Sequence, residues 1–246
     1  MDSGKYIKPW VRLSIEVANY LREELKSFPD VTHLENKYPI VENDNVFIIN
    51  EMHQSKKLRK MHLETGYTEN ISVMHCVLYP NPDYPIPIFG ADIVETPHAV
   101  TAAIVDISPV FGTQKYVDVY KDIAYKYKFK ENRVLPLWTD EVFSQGCKFM
   151  RIKTEEEREM YMNLIKESIQ LYKGIVENSE FDMKWVNTMK RIDDQCYYCN
   201  QQRKNKKTKA VLSQWFDPEW AENYINEILF DKVSHDWSTP LSFLNK

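Results

Sequence analysis

Apolar residues near the start of the chain recur every three to four positions, at Trp10, Leu13, Val17, Leu21 and Leu25, with Pro9 just ahead. This spacing predicts an amphipathic helix over residues 9–27. The period then shortens to two. Residues 45–50, 57–65, 71–79, 87–94 and 98–107 read as strands, punctuated by turn formers at Asn81-Pro-Asp-Tyr-Pro85 and Thr96-Pro97. A helix is expected at 114–128 and one more strand at 147–152. From Thr154 the pattern is helical: Thr154-Glu-Glu-Glu157 resembles a capping box opening a helix to about Val176, and further helices follow at 181–202, 207–216 and 218–230. A strand-rich middle flanked by helices predicts an α+β fold, a three-layer α/β/α sandwich around a central, mostly antiparallel sheet. The short links between the middle strands leave no room for parallel crossovers.

The alternation also sorts side chains by face. His62 and Glu64 are two positions apart, so they share a face of an extended segment. Ile71, Val73, His75 and Val77 take one face of the next segment, and Met74, Cys76 and Leu78 the other. In the third, Ile88, Gly90 and Asp92 alternate with Phe89, Ala91 and Ile93. If these segments pair as neighbours, one register brings Glu64, His75 and Asp92 onto a single face. Ionisable groups set among apolar strands are unfavourable unless they are paired or have a task, so this set points to acid–base chemistry. Each residue taken alone is more often an ordinary paired core or rim residue; only the set together brings the two readings level.

Composition narrows the alternatives. The 246 residues, 43% hydrophobic and 13% aromatic, are enough for one large domain or two small ones with a sizeable core. No apolar run is long enough to span a bilayer and the N-terminus has no signal-peptide core, so a cytoplasmic protein is expected. Of the four cysteines, Cys196-Tyr-Tyr-Cys199 is a lone CxxC without further ligands at metal-binding spacing, so no metal site is expected. Neither GxGxxG nor GxxxxGK[ST] occurs, which argues against the usual nucleotide-binding folds. The net charge of −4 is uneven, with basic clusters at Lys56-Lys57-Leu-Arg59-Lys60 and Arg203–Lys209 and acidic residues at Glu155–Glu159. Such runs are usually solvated faces; an acidic protein partner, an anionic substrate and nucleic acid are the functional options, the last weakest for an acidic chain.

Several segments together resemble the ferredoxin-dependent bilin reductase family. They are Arg59-Lys-Met-His-Leu-Glu64, Met74-His-Cys-Val-Leu-Tyr-Pro80, Ile88-Phe-Gly-Ala-Asp92 and Ala102-Ala-Ile-Val-Asp-Ile-Ser-Pro109, followed by Arg133-Val-Leu-Pro-Leu-Trp138, Tyr197–Asn205, Lys207-Thr208 and Glu219-Trp-Ala-Glu222. The resemblance runs from about residue 40 to about 231 and implies a single bilin reductase domain over 1–246. Within the family the phycocyanobilin-forming branch is the most similar. The resemblance implies reduction of biliverdin IXα to phycocyanobilin with electrons from reduced ferredoxin, no bound cofactor, radical intermediates and protons supplied by the protein.

It further implies that Asp92 protonates the pigment at the pyrrole nitrogens, that His75 shares protons at an end-ring lactam oxygen, and that Glu64 serves the extra vinyl reduction, with His62 in support. Arg133 and Lys207 resemble the cations that hold the propionates; Tyr198 and Asn205 resemble polar pocket groups, and Trp138 and Val211 apolar walls. Asp92 and Glu64 are expected to stay protonated through burial against the pigment. Ferredoxin, which is acidic, is expected to dock on either basic cluster, and the enzyme is expected to be a monomer that binds neither nucleic acid nor membrane. The chain departs from the family at Lys206 and Ile49, where acidic residues are familiar, and in residues 107–130. A phycoerythrobilin-forming enzyme of the same fold, with Glu64 misplaced, or a bilin carrier without turnover remain the alternatives.

Overall fold

The computed structural model describes residues 12–233, so Pro9 and Trp10 of the first expected helix lie outside the described residues. The first helix, α1, spans Leu13–Lys26. Two short strands, β1 (Thr32–His33) and β2 (Ile40–Glu42), precede the long ones: β3 (Phe47–Gln54), β4 (Leu58–Tyr67), β5 (Ser72–Pro80), β6 (Ile88–Glu95) and β7 (Val100–Ser108). Helix α2 (Gln114–Lys126), the two-residue β8 (Glu131–Asn132), a 3-10 turn at Leu137–Glu141 and β9 (Lys148–Ile152) follow. The remainder is helical: α3 (Glu155–Asn178), α4 (Trp185–Gln202), α5 (Lys206–Trp215) and α6 (Pro218–Tyr224), the last running into a π-helical turn at Ile225–Leu229.

The nine strands form one sheet in the order β1-β3-β4-β5-β6-β7-β9-β8, with β2 also paired to β3. Every pairing is antiparallel, so the expected mixture reduces to a purely antiparallel sheet. Helices α1, α2 and α3 cover one face. There Leu13, Val17, Leu21, Tyr161, Leu164 and Ile169 pack on Met61, Met74, Cys76, Leu78, Phe89 and Val105 in one apolar core. Each such fully buried side chain contributes on the order of 1.5–3 kcal/mol of transfer free energy. Helices α4, α5 and α6 cover the other face, where Tyr198, Leu212, Tyr224 and Ile228 meet Ile48, Met52, Val77 and Tyr79.

The expected strands hold to within a few residues. Helix α4 starts at Trp185, not 181, because Asp182 is used in the preceding turn: its carboxylate accepts from Lys184 N–H and Asn187 Nδ2. Strands β1, β2 and β8 are two or three residues long and carry no periodic signal. The capping box at the start of α3 forms as expected, with Thr154 Oγ accepting from Glu157 N–H. Among the described residues no helix is long and apolar enough to cross a membrane.

Candidate active site

The site grows from strand register. Asn50 on β3 pairs with Glu64 on β4, Glu64 with His75 on β5, and His75 with Asp92 on β6, so four polar side chains form one row across the sheet. The adjacent row on the same face runs Met52, His62, Val77, Gly90 and Asp106. This is the register that the alternation allowed, and it faces α4–α6.

At one end of the row, His75 Nδ1 lies 2.6 Å from Asp92 Oδ1. Burial lowers the pKa of His75, yet the charge of Asp92, its hydrogen bond and the nearby Glu64 more than offset this and hold it above the ordinary imidazole value. His75 Nε2 is buried without a hydrogen-bond partner, and the imidazole meets the ring of Phe230 edge to face with centroids 6.0 Å apart. The Asp92 side chain remains 47% exposed.

At the other end, Tyr224 Oη from α6 lies 2.6 Å from Glu64 Oε2 and 2.8 Å from Asn50 Oδ1. His62 Nε2 lies 2.8 Å from the same Asn50 Oδ1. Burial drives Glu64 above the usual carboxylate range and His62 well below the usual imidazole range, so both favour their neutral forms. The rings of His62 and His75 meet edge to face with centroids 5.7 Å apart.

The last described segment is tied over this row. Lys60 Nζ donates to Ile228 O and pairs with Asp231 Oδ1 at 2.6 Å, Arg59 pairs with Asp231 Oδ2 at 2.8 Å, Tyr79 Oη donates to Leu229 O, and Arg203 donates to Phe230 O. These contacts correct the expectation that Lys56, Lys57, Arg59 and Lys60 present one basic docking face. Lys60 is buried in an ion pair, Arg59 shares it, and Lys57 Nζ donates to the carbonyls of Val176 and Glu177 at the end of α3. Of the four, only Lys56 is exposed. The other cluster differs: Lys204, Lys206, Lys207 and Lys209 are all exposed, with Lys209 paired to Glu222.

The remaining expected site residues divide. Tyr198 on α4 is buried, with its hydroxyl 3.4 Å from where a Cβ on Gly90 would stand, so it lies against the second row. Trp138 packs on Phe143, which packs on Tyr198, with ring centroids 6.2 Å apart in both pairs. Arg133 donates to Thr101 O and lies over the ring of Phe149, which pairs with Ile104 beside Asp92 and so continues the first row. Asn205 spends its side chain as the N-cap of α5, accepting from Lys207 N–H. Lys207 and Val211, one turn apart on α5, are exposed.

Sequence reasoning missed Asn50, Tyr224 and Phe230 as parts of the site. Tyr224 is 160 residues from its Glu64 partner and sits in an ordinary amphipathic pattern, which gives no local signal. It also gave no role to Asp106, a buried carboxyl at the end of the second row. Ser108 and Ser144 both donate to it, yet burial lifts its pKa to about 6.

The protein-family model for the ferredoxin-dependent bilin reductases matches residues 16–231. Phycocyanobilin:ferredoxin oxidoreductase of Prochlorococcus marinus strain MIT 9515 is 37% identical over 212 residues, covering 85% of this chain and 87% of that protein. The protein of the same name from Gloeobacter violaceus is 35% identical, covering 78% and 76%. Among solved structures, phytochromobilin synthase from tomato in complex with biliverdin superposes with a TM-score of 0.80 at 16% identity, covering 92% of this chain and 87% of the other.

Proposed function

The chain belongs to the ferredoxin-dependent bilin reductases, and from this we propose that it reduces biliverdin IXα to phycocyanobilin as a single-domain, monomeric enzyme. The observation that carries the reading is the row Glu64–His75–Asp92, with His62 beside it, on the sheet face covered by α4–α6. Two double bonds of the pigment are reduced, which takes four electrons and four protons. Reduced ferredoxin delivers the electrons one at a time, and the conjugated tetrapyrrole itself holds the unpaired electron, so no bound cofactor is needed. The protein's share of the chemistry is placing protons at chosen atoms.

The two ends of the row suit different steps. The His75–Asp92 pair holds a proton on a group whose pKa is lifted above the ordinary imidazole value, beside a half-exposed carboxylate, and serves the pigment's nitrogens and lactam oxygen. Glu64, buried and biased to its acid form, serves the vinyl reduction, with His62 beside it. Phe230 covers His75 in this state, so pigment entry requires the Ile228–Asp231 segment to yield. Arg133 and Lys207 supply cations for the propionates, Trp138 and Val211 the apolar walls, and Tyr198 and Asn205 polar edges.

The exposed Lys204 and Lys206 make the better ferredoxin docking surface, because their charges lie at the surface where an acidic partner can meet them. Reversing Lys204 and Lys206 to Glu is expected to slow reduction by about tenfold at low ionic strength and to flatten its salt dependence. Unchanged rates across a salt series would remove this surface from consideration. The deciding experiment is anaerobic turnover of biliverdin IXα with reduced ferredoxin and chromatographic identification of the product. Phycocyanobilin sustains the proposal, phycoerythrobilin overturns the role given to Glu64, and pigment binding without reduction makes the protein a carrier.

A further inference from the structure

The hydrogen atoms around Glu64 can be counted. Asn50 Nδ2 donates to Tyr38 O at 2.7 Å, and since a carbonyl cannot donate, this contact fixes which way the amide points. Asn50 Oδ1 therefore faces both His62 Nε2 and Tyr224 Oη, each at 2.8 Å, and both must bring a proton. His62 does so as its Nε2–H tautomer, which leaves Nδ1 bare and agrees with the absence of a partner at that atom. Tyr224 has a single hydroxyl proton, and Asn50 takes it. The remaining 2.6 Å contact, between Tyr224 Oη and Glu64 Oε2, then needs a proton from Glu64. If Tyr224 donated to Glu64 instead, two lone-pair oxygens would meet at 2.8 Å inside a buried cluster.

We propose that Tyr224 is a positioning residue that, with its own proton committed to Asn50, holds Glu64 as a carboxylic acid whose proton is parked on the Tyr224 oxygen. This rests on the proposed reduction and deepens it. Glu64 enters the reaction as an acid, and the proton it gives to the reduced pigment is replaced from solvent. The ordered set Tyr38 carbonyl, Asn50 amide, Tyr224 hydroxyl and Glu64 carboxyl then disfavours lasting ionisation. Other groups facing Glu64 act on it as well: His75 across the strand pair favours ionisation, as the Tyr224 hydroxyl would if its proton turned to Glu64, Asp92 opposes it, and His62 and Lys60 lie further along β4. Tyr224 is itself held by stacking on Trp220, with centroids 4.6 Å apart, and by Tyr38.

The test reads the carboxylic-acid carbonyl stretch of Glu64 in the substrate-free full chain by infrared difference spectroscopy across pH, assigned as the band that Glu64→Gln removes. Tyr224→Phe takes away the acceptor of the Glu64 proton, so the band's titration midpoint is expected to fall by about one pH unit, the size of one hydrogen bond. Asn50→Leu frees the Tyr224 proton to turn toward the carboxylate, and the midpoint falls again. If Tyr224 already donates to Glu64, Tyr224→Phe raises the midpoint and Asn50→Leu leaves it unmoved; either result overturns the proposal. The second variant decides the matter should the first fail to fold. The reading needs no turnover, so a protein that makes no reduced bilin but shows the falling midpoints loses the proposed function and keeps this one. A productive enzyme with rising midpoints does the reverse.

Discussion

Glu95 and Glu64 are both buried carboxyls on the same sheet, on opposite faces. Glu95, at the end of β6, is surrounded by donors from the helices above it: Ser14 N–H at 3.0 Å, Ser14 Oγ at 3.1 Å and the Arg158 guanidinium at 2.8 Å. It ties α1 and α3 to the sheet. Glu64 has no cation at hydrogen-bonding distance among the described residues; it meets a tyrosine hydroxyl, faces a histidine across the strand pair, and is pushed toward its acid form by burial. A buried acid that is fully matched is structure. One left with a displaced pKa and a movable proton beside other such groups is positioned for chemistry. The same contrast holds for the whole sheet, whose one face is apolar and closely covered by three helices, while the other carries a polar row under Tyr224 and Phe230.

The largest expected effect lies on the polar face. Asp92→Asn keeps the shape but removes the acid–base partner of His75, and should lower ferredoxin-dependent loss of biliverdin about 10²–10⁴-fold. Its thermal midpoint should stay near wild type; a variant that turns over within a factor of ten would take Asp92 out of the chemistry. Glu95→Leu should behave in the opposite way. It leaves the Arg158 guanidinium and the Ser14 donors without their acceptor, and should destabilise the fold by about 3 kcal/mol in urea unfolding, the product of any remaining turnover being unchanged. Equal loss from both substitutions would erase the distinction between the faces.

Glu64→Gln sharpens the comparison further. The side chain keeps its volume and can still donate to Tyr224, so stability should move by less than about 1 kcal/mol while the product changes from the doubly reduced to a partly reduced bilin. The smallest effect is a pH dependence. His75 has its pKa raised in the folded state, so its pairing with Asp92 contributes stability in full below the unfolded value of about 6.5. That contribution is lost as pH rises through the raised folded value. The stability difference between wild type and His75→Gln should therefore shrink from acid to alkaline pH, and a difference that grows would invert the assignment.

Much of this was legible in one dimension. The period-two runs identified the five long strands, because alternation is what a half-buried antiparallel strand requires, and the same alternation put His62, Glu64, His75 and Asp92 on allowed faces. The basic run at Lys56–Lys60 shows where this kind of reading stops. Read along the chain it is a charged patch, yet Asp231, 171 residues away, turns Lys60 and Arg59 inward. Asn205 likewise reads as a polar pocket group, while the structure also uses its Oδ1 to cap α5.

The sequence by itself determined the layers, the strand faces and the family, because hydrophobic period and a dispersed set of motifs are local properties that survive without contacts. Only the tertiary structure decided which acid is matched and which is poised. Burial, hydrogen-bond direction and the meeting of Asn50 and Glu64 at one tyrosine hydroxyl depend on groups brought together from distant parts of the chain. Their energies belong to the assembled cluster and to none of its segments.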